Sequence, residues 1–227
     1  MIMRTVIFDL DGTLTKGDTY LPFLCLCLRE FGFRRWSLVA LPYYVLLYLG
    51  GRITNSQLKE AFLSKVLSGI SLEQLQSVSE EFVSALLKKN MNEQLTHALH
   101  CHLKENDRVI LATASLDIYV REIAKRLSIH EVACTLVETS EGRITGRIVG
   151  NNCHGIEKVR RLEELLGPSE LQGAVFYTDH HSDLPLLKRV RQGFLVNPCL
   201  RTRFLLRNYG FSLFYLSYDS GMPVSKA

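Results

Sequence analysis

Two aspartates two residues apart, in Phe8-Asp9-Leu10-Asp11-Gly12-Thr13, carry more chemistry than any other short stretch of the chain. Like charges this close raise one pKa of the pair unless a cation bridges them, so the spacing calls for a divalent metal, a shared proton, or both. Asp179 and Asp183, in Thr178-Asp179-His180-His181-Ser182-Asp183-Leu184-Pro185, form a second acidic pair. Asp183 has the alternative of capping the helix that follows, but Asp179 ends a strand as Asp9 does, and two such strands side by side would build an oxygen-rich pocket of the kind Mg2+ takes. Thr113, Ala114 and Ser115 end an apolar run. Their hydroxyls and free backbone N–H groups either cradle a phosphate or cap the next helix. Lys158 follows the Gly150–Gly155 loop, where an ammonium either aims at a phosphate or faces solvent. His180-His181 invites a zinc reading, but adjacent side chains seldom converge on one ion.

These residues need rigid elements behind them. Thr5–Phe8 is a short β-favouring run ending at Asp9, with Gly12 supplying a turn, so both first-pair carboxylates leave the end of a buried strand. The pattern then turns helical for some ninety residues. Apolar spacing predicts helices over Ser56–Leu67, from Ser71 (with Gln74, a capping box) through Leu86, and from Asn92 through Leu103. From Arg108 strands and helices alternate: strands at 109–112, 132–136, 143–149 after the Glu141-Gly142 turn, 174–177 and 194–196; helices at 118–127, 156–166 and 184–190. That rhythm predicts a mostly parallel sheet with helices on both faces, and parallel α/β sheets present ligands at the carboxyl ends of their strands. Ser220–Ala227 is expected to be loose.

Composition narrows the function classes. The chain has 227 residues, 47% hydrophobic and 22% charged, a globular profile rather than a disordered one. A net charge of +4 and no basic run interleaved with aromatics give no case for nucleic acid. Six cysteines without metal-ligand spacing read as reduced cytosolic thiols. A cleavable leader is not expected, because it would remove Asp9. Two apolar stretches, Tyr20–Leu28 and Trp36–Gly50, stand out. The second is shorter than the ~20 residues of a simple membrane span, and it leaves two alternatives open: burial within the protein, or peripheral contact of Tyr20–Gly50 with a membrane surface.

Taken in order, Asp9-x-Asp11-Gly12-Thr13, Thr113, Lys158 and Asp179-x-x-x-Asp183 resemble the four-motif series of the haloacid dehalogenase superfamily across the whole chain. The details are similar to subfamily IB, which includes phosphoserine phosphatases and a bacterial phosphatidylglycerophosphatase. The resemblance implies an α/β, Rossmann-like parallel core formed by residues 1–14 and 106–227, with an inserted all-helical C1 cap over 15–105. It implies Asp9 as nucleophile, Asp11 as general acid/base, and Thr113, Ala114 and Lys158 as phosphate ligands. Mg2+ would be held by Asp9, Asp11 and Asp179 with support from Asp183, and the outcome would be a phosphomonoesterase working through an aspartyl-phosphate. Phosphoserine phosphatases carry Ser where this chain has Gly12 and Glu where it has Asp18. Asp18 is therefore a candidate substrate or cap-closure residue, and the apolar block behind it points to a lipid phosphate such as phosphatidylglycerophosphate, handled in the cytoplasm or at the inner face of its membrane. A soluble metabolite phosphatase, a phosphotransferase and a non-catalytic phosphate-binding module are the competing readings.

Overall fold

The computed structural model describes residues 3–32, 40–215 and 224–225. Strand β1 (Thr5–Phe8) lies inside the sheet, with all four residues buried. Its neighbours β2 (Arg108–Leu116) and β6 (Val175–Thr178) both run parallel to it. Beyond β2 lies β3 (Glu131–Thr135); beyond β6 lie β7 (Gln192–Val196), β8 (Ser212–Tyr215) and β9 (Val224–Ser225). Among the described residues six strands of this sheet are parallel, and β9 alone is antiparallel, at the edge. Continuous apolar runs such as Val109–Ala112 are what a parallel sheet covered on both faces requires. Alternation then sorts them: Val6, Phe8, Val109 and Leu111 join one core, while Ile7, Ile110 and Phe176 join the other.

Helices α1 (Tyr20–Phe31), α2 (Leu41–Leu49), α3 (Asn55–Val66) and α4 (Leu72–Lys89) leave and return to the sheet between β1 and β2, and α5 (Glu93–Lys104) follows them. Capping boxes at Thr54/Gln57 and Ser71/Gln74 start α3 and α4, and Asn92 caps α5. The Ser71 box and the Asn92 cap stand where the sequence places them. α5 packs against β2, with the His102 ring edge-on to Phe8. After β2 come α6 (Asp117–Arg126), a hairpin of β4 (Val137–Ser140) and β5 (Arg143–Ile148), α7 (Ile156–Leu166), α8 (Pro168–Gly173), the short α9 (Leu184–Leu187) and α10 (Leu200–Leu206). One apolar cluster runs unbroken from the sheet through α5 and α6 into the inserted helices, joining Phe8, Tyr119, Phe23, Phe82 and Leu63.

Four expectations need correcting. Residues 143–148 are a strand, but not of the parallel sheet. They pair antiparallel with β4 through a turn whose two residues, Glu141 and Gly142, both have positive φ, the geometry of a tight hairpin. The hairpin is fastened to the inserted helices instead: Gly69 N–H donates to Ile144 O (2.7 Å) and Ile144 N–H to Ile70 O (2.9 Å). A Cβ on Gly146, at φ +92°, would lie 2.6 Å from Ser64 Cα, so a side chain there would push the hairpin off α3. The helix expected over 184–190 stops at Leu187. β8 follows the strand expected to be last. Of Ser220–Ala227, Val224–Ser225 pair with β8, and the remainder lies outside the described residues, as does Trp36–Val39 of the second apolar stretch.

The apolar stretches part company. α1 buries Phe23, Leu24 and Cys27, whereas α2 buries none of its residues and leaves Leu46 and Leu49 exposed at 67% and 73%. Among the described residues no helix is long and apolar enough to cross a membrane.

Candidate active site

The carboxyl end of β1 turns sharply through Leu10–Leu14, closed by Thr15 N–H donating to Leu10 O (2.9 Å) and anchored by Asp9 N–H donating to Tyr177 O (2.9 Å). Gly12 suits that turn. Its φ is +73°, and a Cβ there would sit 2.3 Å from Asp179 Oδ2, so a side chain at this position would displace the Asp179 carboxylate. The strand ends thus bring Asp9, Asp11, Asp179 and Asp183 around one cleft of about 400 Å³, which Thr113, Ala114, Lys158 and Asp18 also line. His180 lines it as well, whereas Ser115 and His181 do not.

Lys158, buried near the start of α7, donates to Asp9 Oδ1 (3.0 Å) and Asp183 Oδ2 (3.0 Å). Burial opposes its charge, but Asp183 and Asp9 outweigh that and raise its pKa. Asp183 also accepts from Thr178 Oγ1 (2.7 Å). Its other oxygen, Oδ1, lies 2.9 Å from Lys158 Nζ and, though buried, accepts no well-directed hydrogen bond. The carboxylate therefore braces Lys158 and does not cap α9. Asp9 is held well above the usual carboxylate range by burial, with Lys158 pulling it down and Asp183, Asp11 and Asp179 adding repulsion. Asp179 is pushed up to about 6 by burial and by Asp183.

Asp11 turns the other way. Its Oδ1 accepts from the backbone N–H and the hydroxyl of Thr19, both at 2.7 Å, and its Oδ2 accepts from Ser115 Oγ (2.6 Å) and, at 3.5 Å, from Thr113 Oγ1. Burial raises its pKa while the Ser115 and Thr19 hydrogen bonds hold the rise back. Capping is not the task of Thr113 or Ser115: the N-cap of α6 is Leu116, with no side-chain cap, and Ser115 N–H donates instead to Thr113 Oγ1 (3.0 Å). Asp18 Oδ2 accepts from Leu21 N–H (2.9 Å), tying the lip of the cleft to the first turn of α1.

Sequence reasoning passed over Thr19, His154 and Lys59. Thr19, fully buried, lies within 3.1 Å of Tyr119 OH and 3.2 Å of Ser115 Oγ. His154 lines the cleft, and its place in the loop before Lys158 was the only sign of it. The rings of His180 and His181 bond to Ser182 Oγ (2.8 Å) and Thr202 Oγ1 (3.4 Å) respectively. A further set of metal-type side chains, His102, Glu105 and Asp107, lies at the opposite end of the sheet. There Asp107 is engaged by Arg4 (3.0 Å) and by His102 (2.8 Å), so that set is an ion-pair network holding β1 beside β2.

Fold and cleft together define an α/β protein with helices inserted between β1 and β2 and an acidic cleft at the carboxyl ends of its strands. Residues 6–188 match the model of the haloacid dehalogenase-like hydrolases, and the chain belongs to that family. It is 29% identical over 185 residues to Protein CicA of Caulobacter vibrioides, covering 80% of this chain and 81% of that one. It is 28% identical over 218 residues to phosphoserine phosphatase SerB1 of Mycobacterium tuberculosis, covering 93% and 70%. A crystal structure of a Bordetella pertussis protein of unknown function superposes with a TM-score of 0.80 at 26% identity, covering 93% of this chain and 98% of that one.

Proposed function

We propose that the protein is a Mg2+-dependent phosphomonoesterase that works through an aspartyl-phosphate on Asp9. The observation that carries this reading is the gathering of Asp9, Asp11, Asp179, Asp183 and Lys158 at one point, with Lys158 bonded to Asp9. Asp9 Oδ attacks phosphorus, the ester oxygen leaves with a proton from Asp11, and Asp11 then takes a proton from the water that hydrolyses the intermediate. Residues 15–105 form the cap and 1–14 with 106–227 the core, so that Asp11, bonded to Thr19 at the start of the cap, is set by the cap's position. Lys158, the Thr113 hydroxyl and the Ala114 backbone hold the phosphoryl oxygens and offset their charge.

The donor set fits Mg2+. It is all oxygen, as a hard cation prefers. Burial keeps the carboxylates' pKa values raised until positive charge arrives, and the space beside Asp179 is kept free by the missing side chain of Gly12. Asp9, the Asp11 carbonyl and Asp179 would hold the ion, and Asp183 would steady the arrangement through Lys158. When bound, the ion supplies charge neutralisation between the phosphate and the floor.

For the substrate, an apolar groove favours a lipid phosphate over a free metabolite. The groove, about 670 Å³ between α1, α2 and α3, includes Leu21, one helical turn from Asp18 at the cleft, and its size is that of a small-molecule site. α2 would rest on the bilayer surface. The similarity to a phosphoserine phosphatase supports the second reading, a small soluble phosphate ester. A panel of phosphatidylglycerophosphate, phosphatidate, phosphoserine and sugar phosphates, with and without lipid vesicles, separates the two. Preference for the lipids supports the first reading, and equal rates on short soluble esters remove it. In the same assay a chelator should silence the enzyme reversibly, with Mg2+ restoring it.

A further inference from the structure

Lys59, on α3, is a buried lysine that the proposed chemistry does not use. It is 8% exposed, its ammonium lies over the Tyr20 ring (4.9 Å to the centroid), and it donates to Asn152 Oδ1 (2.8 Å) and to the carbonyl of Ala114. These acceptors are all neutral, and no carboxylate pairs with Lys59 among the described residues. Burial pushes its pKa down to about 8, while Asp11, Cys153, Asp18 and Cys134 pull it back up. A buried cation without a counter-ion is costly, and costs of this kind gather at functional sites.

Its contacts explain what it could do there. Ala114 lines the cleft, and its carbonyl is gripped from behind by Lys59 and by Thr135 Oγ1 (2.8 Å). The N–H of the same peptide unit belongs to Ser115 and donates to Thr113 Oγ1 (3.0 Å). With that lone pair taken, the Thr113 hydroxyl has its proton to give, towards Asp11 at 3.5 Å or to an anion in the cleft. Were the peptide released, its rotation would swing the carbonyl oxygen round and leave Thr113 unaligned.

We propose that Lys59 is a positioning residue for the phosphate, supplied by the cap: it fixes the Ala114–Ser115 peptide that aligns Thr113 and places an unneutralised positive charge behind the cleft. Resting on the phosphatase reading, this makes anion binding the event that compensates Lys59. The charge acts on bound substrate and transition state alike, so its loss weakens binding more than turnover.

The test compares the full chain with Lys59→Met, Lys59→Gln and Lys59→Arg, using p-nitrophenyl phosphate as substrate and inorganic phosphate and vanadate as inhibitors. In Lys59→Met the KM and both inhibition constants should rise about tenfold, the effect of one charge-assisted hydrogen bond. kcat should stay within about threefold, and the melting temperature should hold or rise because a buried charge has gone. Lys59→Arg should recover most of the phosphate affinity, and Lys59→Gln, should the Met variant fail to fold, should show the same weakened inhibition. Unchanged inhibition constants in Met or Gln, with a lower melting temperature, would show a merely structural lysine and overturn the proposal. If the wild-type chain neither hydrolyses the substrate nor binds phosphate, the phosphatase reading itself fails.

Discussion

The floor of the cleft and the wall beneath the cap each bury a lysine, in opposite surroundings. On the floor, Lys158 meets two carboxylates and its charge is stabilised. Asp11 and Asp179 stand beside it, so the floor carries more negative than positive charge. In the wall, Lys59 meets a carbonyl and an amide, and its charge is disfavoured. One side therefore lacks a cation and the other an anion. A cleft unbalanced in this way is preorganised for a metal and a phosphate together, and neither imbalance would be stable in a merely structural core.

Removing charge from the floor should break this contrast most severely. Asp9→Asn should lower kcat by at least about 10³-fold, because an amide cannot form the phosphoenzyme. Its fold should survive, since Lys158 keeps Asp183 and a buried, repelled carboxylate has been neutralised; steady-state kinetics and thermal melting check the two halves. Substantial activity in this variant would end the nucleophile assignment. Lys158→Met removes the positive member instead. It should cost about 3–5 kcal/mol in urea unfolding without metal, as Asp9 and Asp183 are left buried and unpaired. Saturating Mg2+ should recover part of that loss, and equal stability with and without the ion would show that the floor does not bind it.

A smaller effect is expected where the floor is shaped rather than charged. Gly12→Ala places a Cβ 2.3 Å from Asp179 Oδ2 on a residue at φ +73°. Strain of this kind costs about 1–3 kcal/mol, and the displaced Asp179 should weaken Mg2+ activation more than it changes the overall fold. A metal titration of activity beside a melting curve reads both.

The floor was legible in the sequence and the wall was not. Asp9 and Asp179 each follow a short apolar, β-favouring run that reads as a strand, and Asp11 and Asp183 come two and four residues later, so their placement follows from local pattern. Lys158 could be read because a glycine-containing loop leads into its helix. Lys59 looks like any helix lysine, since its partners Ala114 and Asn152 lie 55 and 93 residues away. The turn and β5 were legible, but the pairing of β5 with β4, away from the main sheet, escaped for the same reason. Thr139 and Ser140 are exposed, and what holds the hairpin is α3 and the turn after it, some seventy residues earlier. Interactions that join the inserted helices to the rest of the fold are made by residues whose local sequence has no reason to advertise them.

The mildest prediction tests whether the wall is as uncompensated as it looks. Lys59 has a folded-state pKa of about 8, against an ordinary value of 10.5. Between those values the unfolded chain binds more protons at this site than the folded one, so stability should rise with pH there. Below about pH 8 the native state carries the full penalty of the buried charge, and above 10.5 the penalty is gone. Other groups titrate in the same window, so the difference between wild type and Lys59→Met isolates the lysine. In urea unfolding across this range, the wild type should gain on the variant as pH rises. Phosphate should shrink the gain, because a bound anion supplies the partner that Lys59 lacks. A difference that is flat with pH would mean that the ammonium is already compensated, and the contrast between floor and wall would disappear.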